Sequence, residues 1–409
     1  VVNIFLLIVA YVTCVIIVLN RHSEWPQVAK RRIWSSVRIH WKRIIWFSLY
    51  AILNIVAFSW TFWAYCQSGP HQLSNLTGVG ICLSKGGARV MQFNMFFIII
   101  AVCYGWLYYI RLFAVIADIL PVDDNLLFHQ VCGIVIVIAS IIHIIGHEIN
   151  AVKLASADLT VVLQTDSHIA ETLGYLPTVL QYNFATIFGV TGWVMIVVFL
   201  LALPWALIPA LKRQHFNVFF CLHQLLVYIF MPAICIHGMM GLVEPPTMYI
   251  ILAIPLLMFF YDRRYKIRGT IGFVKNRDIL GAEVHPDAVT LYIQKRKRFM
   301  DKFNPGNYLW LCVPSISRLE WHPFTITSAP QDNFVSLHIQ KSGDWTESLH
   351  STFKAMHGER KEHKKGSSVE TLSVVSGNRL PQCRIDGPIG APAESFYKYE
   401  VVVMIGAGI

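Results

Sequence analysis

The stretch from Phe128 to His147, FHQVCGIVIVIASIIHIIGH, constrains this chain most, because it is an apolar run long enough to cross a bilayer. It carries three histidines, and ionisable residues inside a membrane helix are costly enough to indicate a function. His129 and His143 are 14 residues apart. On a helix this spacing is close to four turns and ~21 Å, so both side chains leave one face near opposite sides of a ~30 Å hydrocarbon layer.

The run HQLLVYIFMPAICIH repeats the pattern, with His223 and His237 also 14 residues apart. If both helices run in the same direction, the histidines meet as an inner pair, His129 with His223, and an outer pair, His143 with His237. Two facing imidazoles in an apolar slot suit the axial positions of a haem iron. A lone histidine would more often be a hydrogen-bonded core residue, but the repeated spacing favours two b-type haems.

The composition is that of a polytopic membrane protein with a soluble appendage. Of the 409 residues, 55% are hydrophobic and only 14% are charged, and the mean hydropathy is +0.52. The net charge of +10 is better explained by basic cytosolic loops than by nucleic-acid binding. We therefore expect a partner in membrane lipid and none in nucleic acid.

The apolar runs predict a mainly α-helical membrane bundle of about seven transmembrane helices. Basic stretches follow the first, fifth and seventh runs, which places the N-terminus outside and the C-terminal part in the cytosol. In this topology the two histidine-bearing runs are parallel, as paired haem ligands require. The runs are 2–20, 43–65, 86–112, 126–148, 185–210, 216–239 and 246–262.

The predicted outer loops carry two further signals. Cys66 and Cys82 flank one loop and are candidates for a disulfide, although cysteines in membrane helices are more often small apolar residues. The same loop holds the N-glycosylation sequence Asn75-Leu76-Thr77, which suits a glycoprotein with this loop outside. Loop 149–184 is long and mixed in composition, and we expect it to fold over the outer mouth of the bundle.

The character of the chain changes after Arg264. Short runs rich in β-branched and aromatic residues predict an antiparallel β-barrel from about 266 to 395. One helix interrupts it, where Asp344 and Glu347 form a variant capping box. A polar, basic insertion follows at about 358–378, and a solvated loop is favoured over a site for acidic lipid or a partner.

The chain ends in YEVVVMIGAGI, a strand that runs into a glycine turn at Gly406 and Gly408. This pattern opens many nucleotide-binding α/β units. A single strand cannot form such a domain, so we expect the chain as given to be unable to oxidise a nicotinamide cofactor.

Three motifs carry a family resemblance: LEWHPFTITSAP at 319–330, SLHIQKSGDWTESL at 336–349 and DGPIG at 386–390. Together with the four histidines, they resemble the catalytic core of the NADPH oxidases, including the dual oxidases and the plant respiratory burst oxidases. The resemblance implies four parts: an additional N-terminal helix with a basic linker at 1–42, a six-helix ferric reductase-like domain at 43–262, an FAD-binding barrel at 263–398 and the first strand of an NADPH-binding domain at 399–409.

The resemblance also implies roles in FAD binding. Phe324 would stack on the isoalloxazine, and Thr325 would hydrogen-bond a ring nitrogen. The helix start near Trp345 would present backbone N–H groups to the pyrophosphate, in competition with Asp344 if that residue is the cap. The expected cofactor-binding set is His322, Pro323, Phe324, Thr325, His338, Gln340, Lys341, Trp345 and Thr346 for FAD, with Gly406 and Gly408 for NADPH.

The sequence departs from the family pattern at three places. Gln340 stands where Arg is usual, so either Lys341 substitutes for the missing charge or FAD binds more weakly. The third run has Cys-Tyr-Gly at 103–105 where Cys-Arg-Asn is frequent, which puts a haem-propionate contact in doubt. The second histidine spacing is 14 where many relatives have 13, which rotates His237 by ~100° and predicts a kink or π-bulge near Pro232.

The implied function is a transmembrane NADPH oxidase that moves electrons from cytosolic NADPH through FAD, the inner haem and the outer haem to O₂ outside, giving superoxide or hydrogen peroxide. A ferric-chelate reductase would share this electron path. A non-enzymatic proton-conducting or regulatory subunit would use the histidines without haem. The localisation expected is plasma membrane or endomembrane with the FAD domain in the cytosol. Left open are the product, the activator, a homo-oligomer and a regulatory or maturation subunit.

Two residues are candidates for catalysis at the oxygen end. His147 follows His143 by one helical turn on nearly the same face, and Lys85 enters the third run from the outer side. In related oxidases a cation stands at this position beside the outer haem, where it would stabilise the charge that develops on O₂. The alternative is that Lys85 reaches lipid headgroups and His147 caps loop 149–184.

Overall fold

The structure is a computed structural model, and it leaves the first apolar run, Gly406, Gly408 and most of the basic insertion outside the residues it describes. The described residues are 27–67, 73–113, 122–165, 176–239, 245–271, 274, 276–295, 303–362, 374–375, 380–391, 394, 396, 400, 401 and 403.

The N-terminal part of the described chain is helical. The helices are α1 (Gln27–Cys66), α2 (Leu73–Thr77), α3 (Val79–Ile100), α4 (Tyr104–Leu112), α5 (Asn125–Ala155, preceded by a 3-10 turn), α6 (Leu159–Thr165), α7 (Val179–Phe184), α8 (Ile187–Leu207), α9 (Pro209–Gln214), α10 (Phe216–His237) and α11 (Met248–Thr270).

Four helices of the described chain are long and apolar enough to cross a membrane, namely His40–Cys66, Val122–Ala155, Ile187–Leu207 and Phe216–His237. They carry exposed apolar side chains such as Trp60 and Leu200, which a bilayer would cover. The predicted mainly α membrane region is confirmed. Seven spans are not found among the described residues, which leave out the first predicted run.

Two of the predicted runs differ from simple spans. The run expected at 86–112 is a pair of helices, α3 and α4, bent by 81° at a break, so five spans result if the pair is one. The last run continues as α11 well past residue 262, and its final turns carry Asp262, Arg263, Arg264 and Lys266. Because of these charges, α11 is not among the four helices that are apolar enough to cross a membrane.

Three local predictions can be compared with the structure. Cys66 and Cys82 form a disulfide, with Cα atoms 5.7 Å apart, which confirms that pairing. Asn75 lies exposed on α2, whereas the Thr77 hydroxyl is buried and donates to the Leu73 carbonyl. Helix α10 is continuous through Pro232 with no π-helical turn, so the π-bulge is wrong and a bend there stays a prediction.

The C-terminal part is an antiparallel sheet with one covering helix, α12 (Asp344–Glu362). The strand order is β4-β3-β7-β1-β2-β5, with β6 beside β1. The antiparallel prediction is confirmed, but within the described strands the sheet does not close into a full barrel, because β4 and β5 form its two ends. The strands are β1 (Arg277–Val284), β2 (Ala288–Gln294), β3 (Tyr308–Cys312), β4 (His322–Thr325), β5 (Phe334–Gln340), β6 (Val374–Val375) and β7 (Gln382–Ile389).

Alternate residues along the strands point to one face of the sheet, and their apolar side chains form a buried core. Leu291, Leu309 and Leu337 from three strands are fully buried, and α12 covers them with Leu349 and Phe353. Burying each such side chain stabilises the fold by ~1.5–3 kcal/mol. On the opposite face, Pro323 and Thr325 of β4 and His338 and Gln340 of β5 are exposed.

Contacts divide the chain into two compact units. One contains the described residues within 27–93 and 137–189, and the other contains 94–113, 122–136 and the described residues from 190 onward. Helix α11 runs unbroken across residues 262–263 and belongs to the same unit as the sheet. The domain boundary predicted there stays a prediction.

Candidate functional site

The inner histidine pair comes together as predicted. The ring centroids of His129 on α5 and His223 on α10 are 5.9 Å apart, with the rings nearly perpendicular at 82°. A metal ion ~2 Å from each of two imidazole nitrogens fits this separation. Phe219, one turn before His223, stacks on its ring at 5.5 Å and 18°, which fixes the ring plane.

The orientation of His129 is set by a backbone carbonyl. Its Nδ1 lies 2.9 Å from the Ile98 carbonyl oxygen of α3. A carbonyl can only accept, so Nδ1 carries the proton and Nε2 is the nitrogen that would bind iron. Ligating histidines commonly use their second nitrogen in this way. His129 therefore fits a residue that would hold a haem iron through its free ring nitrogen.

The Ile98 carbonyl is available because α3 ends two residues later, at Ile100, and the Val102 amide bonds the Ile99 carbonyl instead. Helix ends leave carbonyls without helical partners, and here side chains from other helices fill the vacancies. Asn125 Nδ2 donates to the Ala101 carbonyl at 3.0 Å, and Arg263 Nη2 donates to the Val102 carbonyl at 3.2 Å. Backbone amides take the remaining carbonyls between 97 and 103, so every carbonyl of the break has a donor.

The first turn of α4 is fixed from the same side. The Gly105 N–H donates to Asp262 Oδ1 at 2.8 Å, and a Cβ at Gly105 would collide with that carboxylate oxygen. Asp262 and Arg263 are adjacent on α11, so one turn of α11 holds both sides of the break. The Cys-Tyr-Gly run puts a haem-propionate contact in doubt, but it has a structural role that requires the glycine.

The two outer histidines are held in a similar way, each within its own compact unit. His143 Nδ1 lies 2.7 Å from the Ser84 carbonyl of α3. His237 Nδ1 lies 3.0 Å from the Thr191 hydroxyl of α8. The carbonyl fixes Nε2 of His143 as the nitrogen that would bind iron. In His237, Nε2 would bind iron when the Thr191 hydroxyl accepts from Nδ1. The pairing of these two histidines across one haem stays a prediction.

Helix α3 supplies both carbonyls, and its acceptors repeat the spacing of the ligands. Ser84 and Ile98 are 14 residues apart, as are His143 and His129. Gly87 permits the close approach at the outer end, because a Cβ there would lie 2.8 Å from the Ala139 carbonyl and 3.1 Å from His143 Cβ. Small residues at such contacts are typical of packed membrane helices.

The two predicted oxygen-side residues lie beside the outer ligand and its acceptor. The His147 and His143 ring centroids are 4.4 Å apart, and Lys85 directly follows Ser84 with its Nζ 5.5 Å from the Tyr65 ring centroid. His147 Nδ1 also lies 2.9 Å from the hydroxyl of Tyr182, a buried residue of the predicted outer loop. The loop contact weighed as an alternative for His147 is therefore present. Sequence reasoning missed Tyr182, which no motif marks.

The predicted flavin strand β4 lies at one end of the sheet, with its alternate residues in different environments. His322 and Phe324 face α12, where Trp345 packs against both rings, at 4.4 Å and 6.0 Å between centroids. Burial lowers the pKa of His322, which favours its neutral form. Pro323 and Thr325 are exposed. Because the Trp345 side chain is buried under the strand, only its backbone can serve a phosphate.

The exposed face of β5 supplies polar groups near the other end of the sheet. His338 and Gln340 both point outward, and His338 Nδ1 lies 2.7 Å from the Thr327 hydroxyl in the loop after β4. Lys341 follows, exposed, with its Nζ 3.9 Å from a Glu347 carboxylate oxygen. Donors of this kind suit the ribityl and phosphate groups of FAD.

The start of α12 differs from the predicted capping box. Asp344 is already helical, and Glu347 N–H bonds the Gly343 carbonyl. The Thr346 hydroxyl instead accepts from the Ser342 and Gly343 amides, each at 3.0 Å. The expected competition from an Asp344 cap is therefore wrong, and the Thr346 hydroxyl already has partners. The sequence pattern could not separate a cap at 344 from a turn closed by Thr346.

Comparison with known proteins identifies both parts of the chain. Residues 86–234 match the family described as ferric reductase like transmembrane component. Residues 274–393 match the FAD-binding domain family. The first match contains His129, His143 and His223 and ends three residues before His237, and the second contains the HPFT strand and the start of α12.

Several curated relatives cover most of the chain. It is 32% identical over 370 residues to a superoxide-generating NADPH oxidase heavy chain of Dictyostelium discoideum, covering 90% of this chain and 67% of that protein. It is 32% identical over 413 residues to respiratory burst oxidase homolog protein A of Solanum tuberosum, and 31% identical over 400 residues to protein F of Arabidopsis thaliana. These cover 96% and 90% of this chain, but only 41% and 40% of the relatives. The chain belongs to the NADPH oxidase family.

Proposed function

We propose that this chain is the electron-carrying core of an oxidase that takes electrons from NADPH on the cytosolic side and reduces O₂ on the outer side, giving superoxide or hydrogen peroxide. The observation that carries the proposal is the inner histidine pair. Its rings face each other at 5.9 Å, with the tautomer of His129 fixed by a carbonyl. A proton path would need no such matched pair. The relatives named superoxide-generating oxidases support the choice of acceptor.

The proposed cofactors are FAD and two b-type haems. When bound, they would accept electrons and pass them on. The Nε2 atoms of His129 and His223 would hold the inner haem. His143 and His237 would hold the outer one, because each ring is fixed through Nδ1 and lies 14 residues further along its helix. The matched family description supports this use of the helices.

The flavin would lie against the exposed residues of the two end strands β4 and β5, which the contact between Thr327 and His338 brings together. Thr325, His338 and Gln340 present hydrogen-bonding groups on their outward faces, and Lys341 supplies a positive charge. Phe324 is stacked on the indole of Trp345, which would hold its ring in place against the flavin ring. The neutral amide of Gln340 makes the phosphate contact weaker than a guanidinium would, since Arg binds phosphate in a bidentate way.

At the oxygen end, Lys85 and His147 would stabilise the anion that forms when O₂ gains an electron. Both lie within contact range of groups that hold or adjoin His143. A fixed cation beside developing negative charge lowers the barrier because it need not reorganise. The hydrogen bond between His147 and Tyr182 would hold the imidazole in place.

The basic linker and the charged end of α11 support placing the FAD domain in the cytosol. Electrons would then leave a negative interior. This direction is favourable by ~2.3 kcal/mol per 100 mV of membrane potential. The specific membrane, whether plasma membrane or endomembrane, is part of the same proposal.

A ferric-chelate reductase is the second candidate, because one matched family is named for ferric reductase. It would use the same histidines and the same flavin edge. The two functions differ in the acceptor on the outer side, so the acceptor decides between them.

The test uses full-length protein that carries its nicotinamide domain, purified with FAD and haem. We expect sharp b-type bands in the reduced-minus-oxidised spectrum, and NADPH-dependent O₂ consumption that greatly exceeds anaerobic reduction of a ferric chelate. His129→Leu should abolish both. Ferric reduction faster than O₂ consumption would favour the reductase, and a spectrum without haem bands would remove both electron-transfer functions.

A further inference from the structure

The last turns of α11 touch two parts of the molecule that the proposed function links. Asp262, Arg263 and Lys266 are all partly buried there, although a charged helix end would normally be solvated. They lie in the compact unit that also contains the inner histidine pair and the sheet. Their contacts show what they hold.

On one side, this turn holds the break that positions His129. Arg263 donates to the Val102 carbonyl, and Asp262 accepts from Gly105. The guanidinium carbon of Arg263 also lies 5.9 Å from the ring centroid of Tyr104, the first residue of α4. The break therefore cannot change shape without moving this turn of α11.

On the other side, the same part of α11 contacts strand β3 of the sheet. Lys266 Nζ lies 3.1 Å from the centroid of the Trp310 ring on β3, a cation–π contact. Trp310 is also 6.2 Å from Tyr104 between ring centroids. In the ladder, Trp310 pairs with Pro323 of the HPFT strand on one side and with Asp386 of β7 on the other.

Further contacts fix the same junction. Arg384 Nη1 on β7 donates to the Gly269 carbonyl near the end of α11. Arg111 on α4 donates to the Gly390 carbonyl just after β7, at 3.0 Å. Burial lowers the pKa of Lys266, whereas the Asp386 carboxylate opposes that shift. The lysine is thus held among fixed charges and rings rather than in water.

We propose that the junction of Tyr104, Arg263, Lys266 and Trp310 is the positioning element that fixes the flavin strand β4 relative to the inner ligand His129. The chain of contacts is continuous, from Pro323 through Trp310 to Lys266 and Tyr104, and from Arg263 to the helix break. Reaction rates depend on how donor and acceptor are held relative to each other, so a displaced β4 would slow electron transfer to the haem held by His129. The inference rests on the proposed function, since it concerns electron transfer from flavin to the inner haem.

The experiment uses purified full-length protein with bound FAD and haem, without NADPH and without oxygen. EDTA is added as a sacrificial electron donor, so a light pulse reduces the bound flavin while EDTA is oxidised. The haem absorbance then reports the arrival of one electron at the iron, which changes from ferric to ferrous as the flavin is oxidised. The variants are Lys266→Met and Trp310→Leu, with Lys266→Arg as the conservative replacement. Tyr292→Leu is the matched control, because Tyr292 is an aromatic residue of β2 that packs on Phe334 at 5.2 Å.

We expect Lys266→Met and Trp310→Leu to slow haem reduction at least about tenfold while FAD content, haem content and the low-spin haem spectrum stay at parent values. Lys266→Arg should recover most of the rate, and Tyr292→Leu should match the parent. Parent rates in both slow variants would overturn the proposal. If Trp310→Leu loses FAD, Lys266→Met decides alone, and loss of cofactor in both variants would also overturn it. Absence of electron transfer in the parent would instead overturn the proposed function.

Discussion

Helix α5 carries His129 towards one end and His143 towards the other. Each bonds a carbonyl of α3 through Nδ1, but their surroundings differ. At the inner end, His129 bonds the Ile98 carbonyl, which belongs to the broken end of α3 and has lost its helical partner. At the outer end, His143 bonds the Ser84 carbonyl inside the intact part of α3, so this oxygen is shared with the helix. A carbonyl has two lone pairs and can serve both.

The neighbours differ as well. The inner histidine lies in the unit that contains Arg263 and the sheet, whereas the outer one touches His147, whose partner Tyr182 lies in the predicted outer loop. The two histidines thus have different surroundings. His129 lies in the unit that contains the sheet, and His143 lies in the unit that contains residues of the predicted outer loop. Under the proposed function, the bond through Nδ1 would serve haem binding at both ends, and the outer surroundings would serve the acceptor.

The largest expected effect tests whether the two ends bind separate haems. His129→Leu and His143→Leu should each reduce haem content from two per chain to one, because leucine fills the space but offers no ligand. His215→Leu is the control, since His215 lies exposed at the start of α10. Two haems per chain in either ligand variant, measured as pyridine haemochrome, would show that the pairing is wrong.

The next effect tests whether only the outer end handles oxygen. Lys85→Met and His147→Leu should keep both haems and their reduction by flavin, yet slow reoxidation by O₂ by roughly a hundredfold, the usual cost of losing one group that stabilises developing negative charge. Stopped-flow mixing of reduced protein with O₂ measures this rate. Reoxidation as fast as in the parent in both variants would leave these residues with only the packing roles described above.

A third test separates close packing at the outer end from looser packing further in. Gly87→Ala should destabilise the protein by about 1–3 kcal/mol, the usual cost of overpacking, because the new methyl group meets the Ala139 carbonyl. Gly133→Ala on α5 is the matched control, since its methyl group would lie 3.9 Å from Ile98 Cδ1. Thermal unfolding in detergent compares the two, and equal midpoints would contradict the asymmetry.

The smallest expected effect concerns the outer loop. Tyr182→Phe removes one hydrogen bond to His147 and should cost about 0.5–1.5 kcal/mol, with haem content unchanged. Tyr249→Phe, at an exposed position on α11, should cost nothing measurable. The free energy of unfolding of both variants, measured in the same detergent, gives the comparison. Equal losses would mean that the Tyr182 hydroxyl does not hold the loop.

Much of this arrangement follows from sequence, because spacing on a helix fixes which face a residue occupies. The antiparallel sheet is confirmed, and the rings of His129 and His223 lie close together, while their role as a ligand pair stays a prediction. The Cys66–Cys82 disulfide, one of two alternatives for these cysteines, is present. The break after Ile100 was missed, since the run 86–112 is apolar throughout most of its length and contains no proline. Its cause lies on other helices, in Asn125 and Arg263, and periodicity within one segment cannot report partners elsewhere in the chain.

The matched spacing on α3 and α5 also restricts how this protein can change length. An extra residue between Ser84 and Ile98 would turn one carbonyl by ~100° and shift it by ~1.5 Å relative to the other. One histidine would then lose its acceptor unless a compensating residue entered α5 between His129 and His143. The distance between the two carbonyls on α3 must therefore match the distance between the two histidines on α5. Insertions and deletions in one helix should be inherited only with their counterpart in the other, and a chimera between relatives should exchange both helices together.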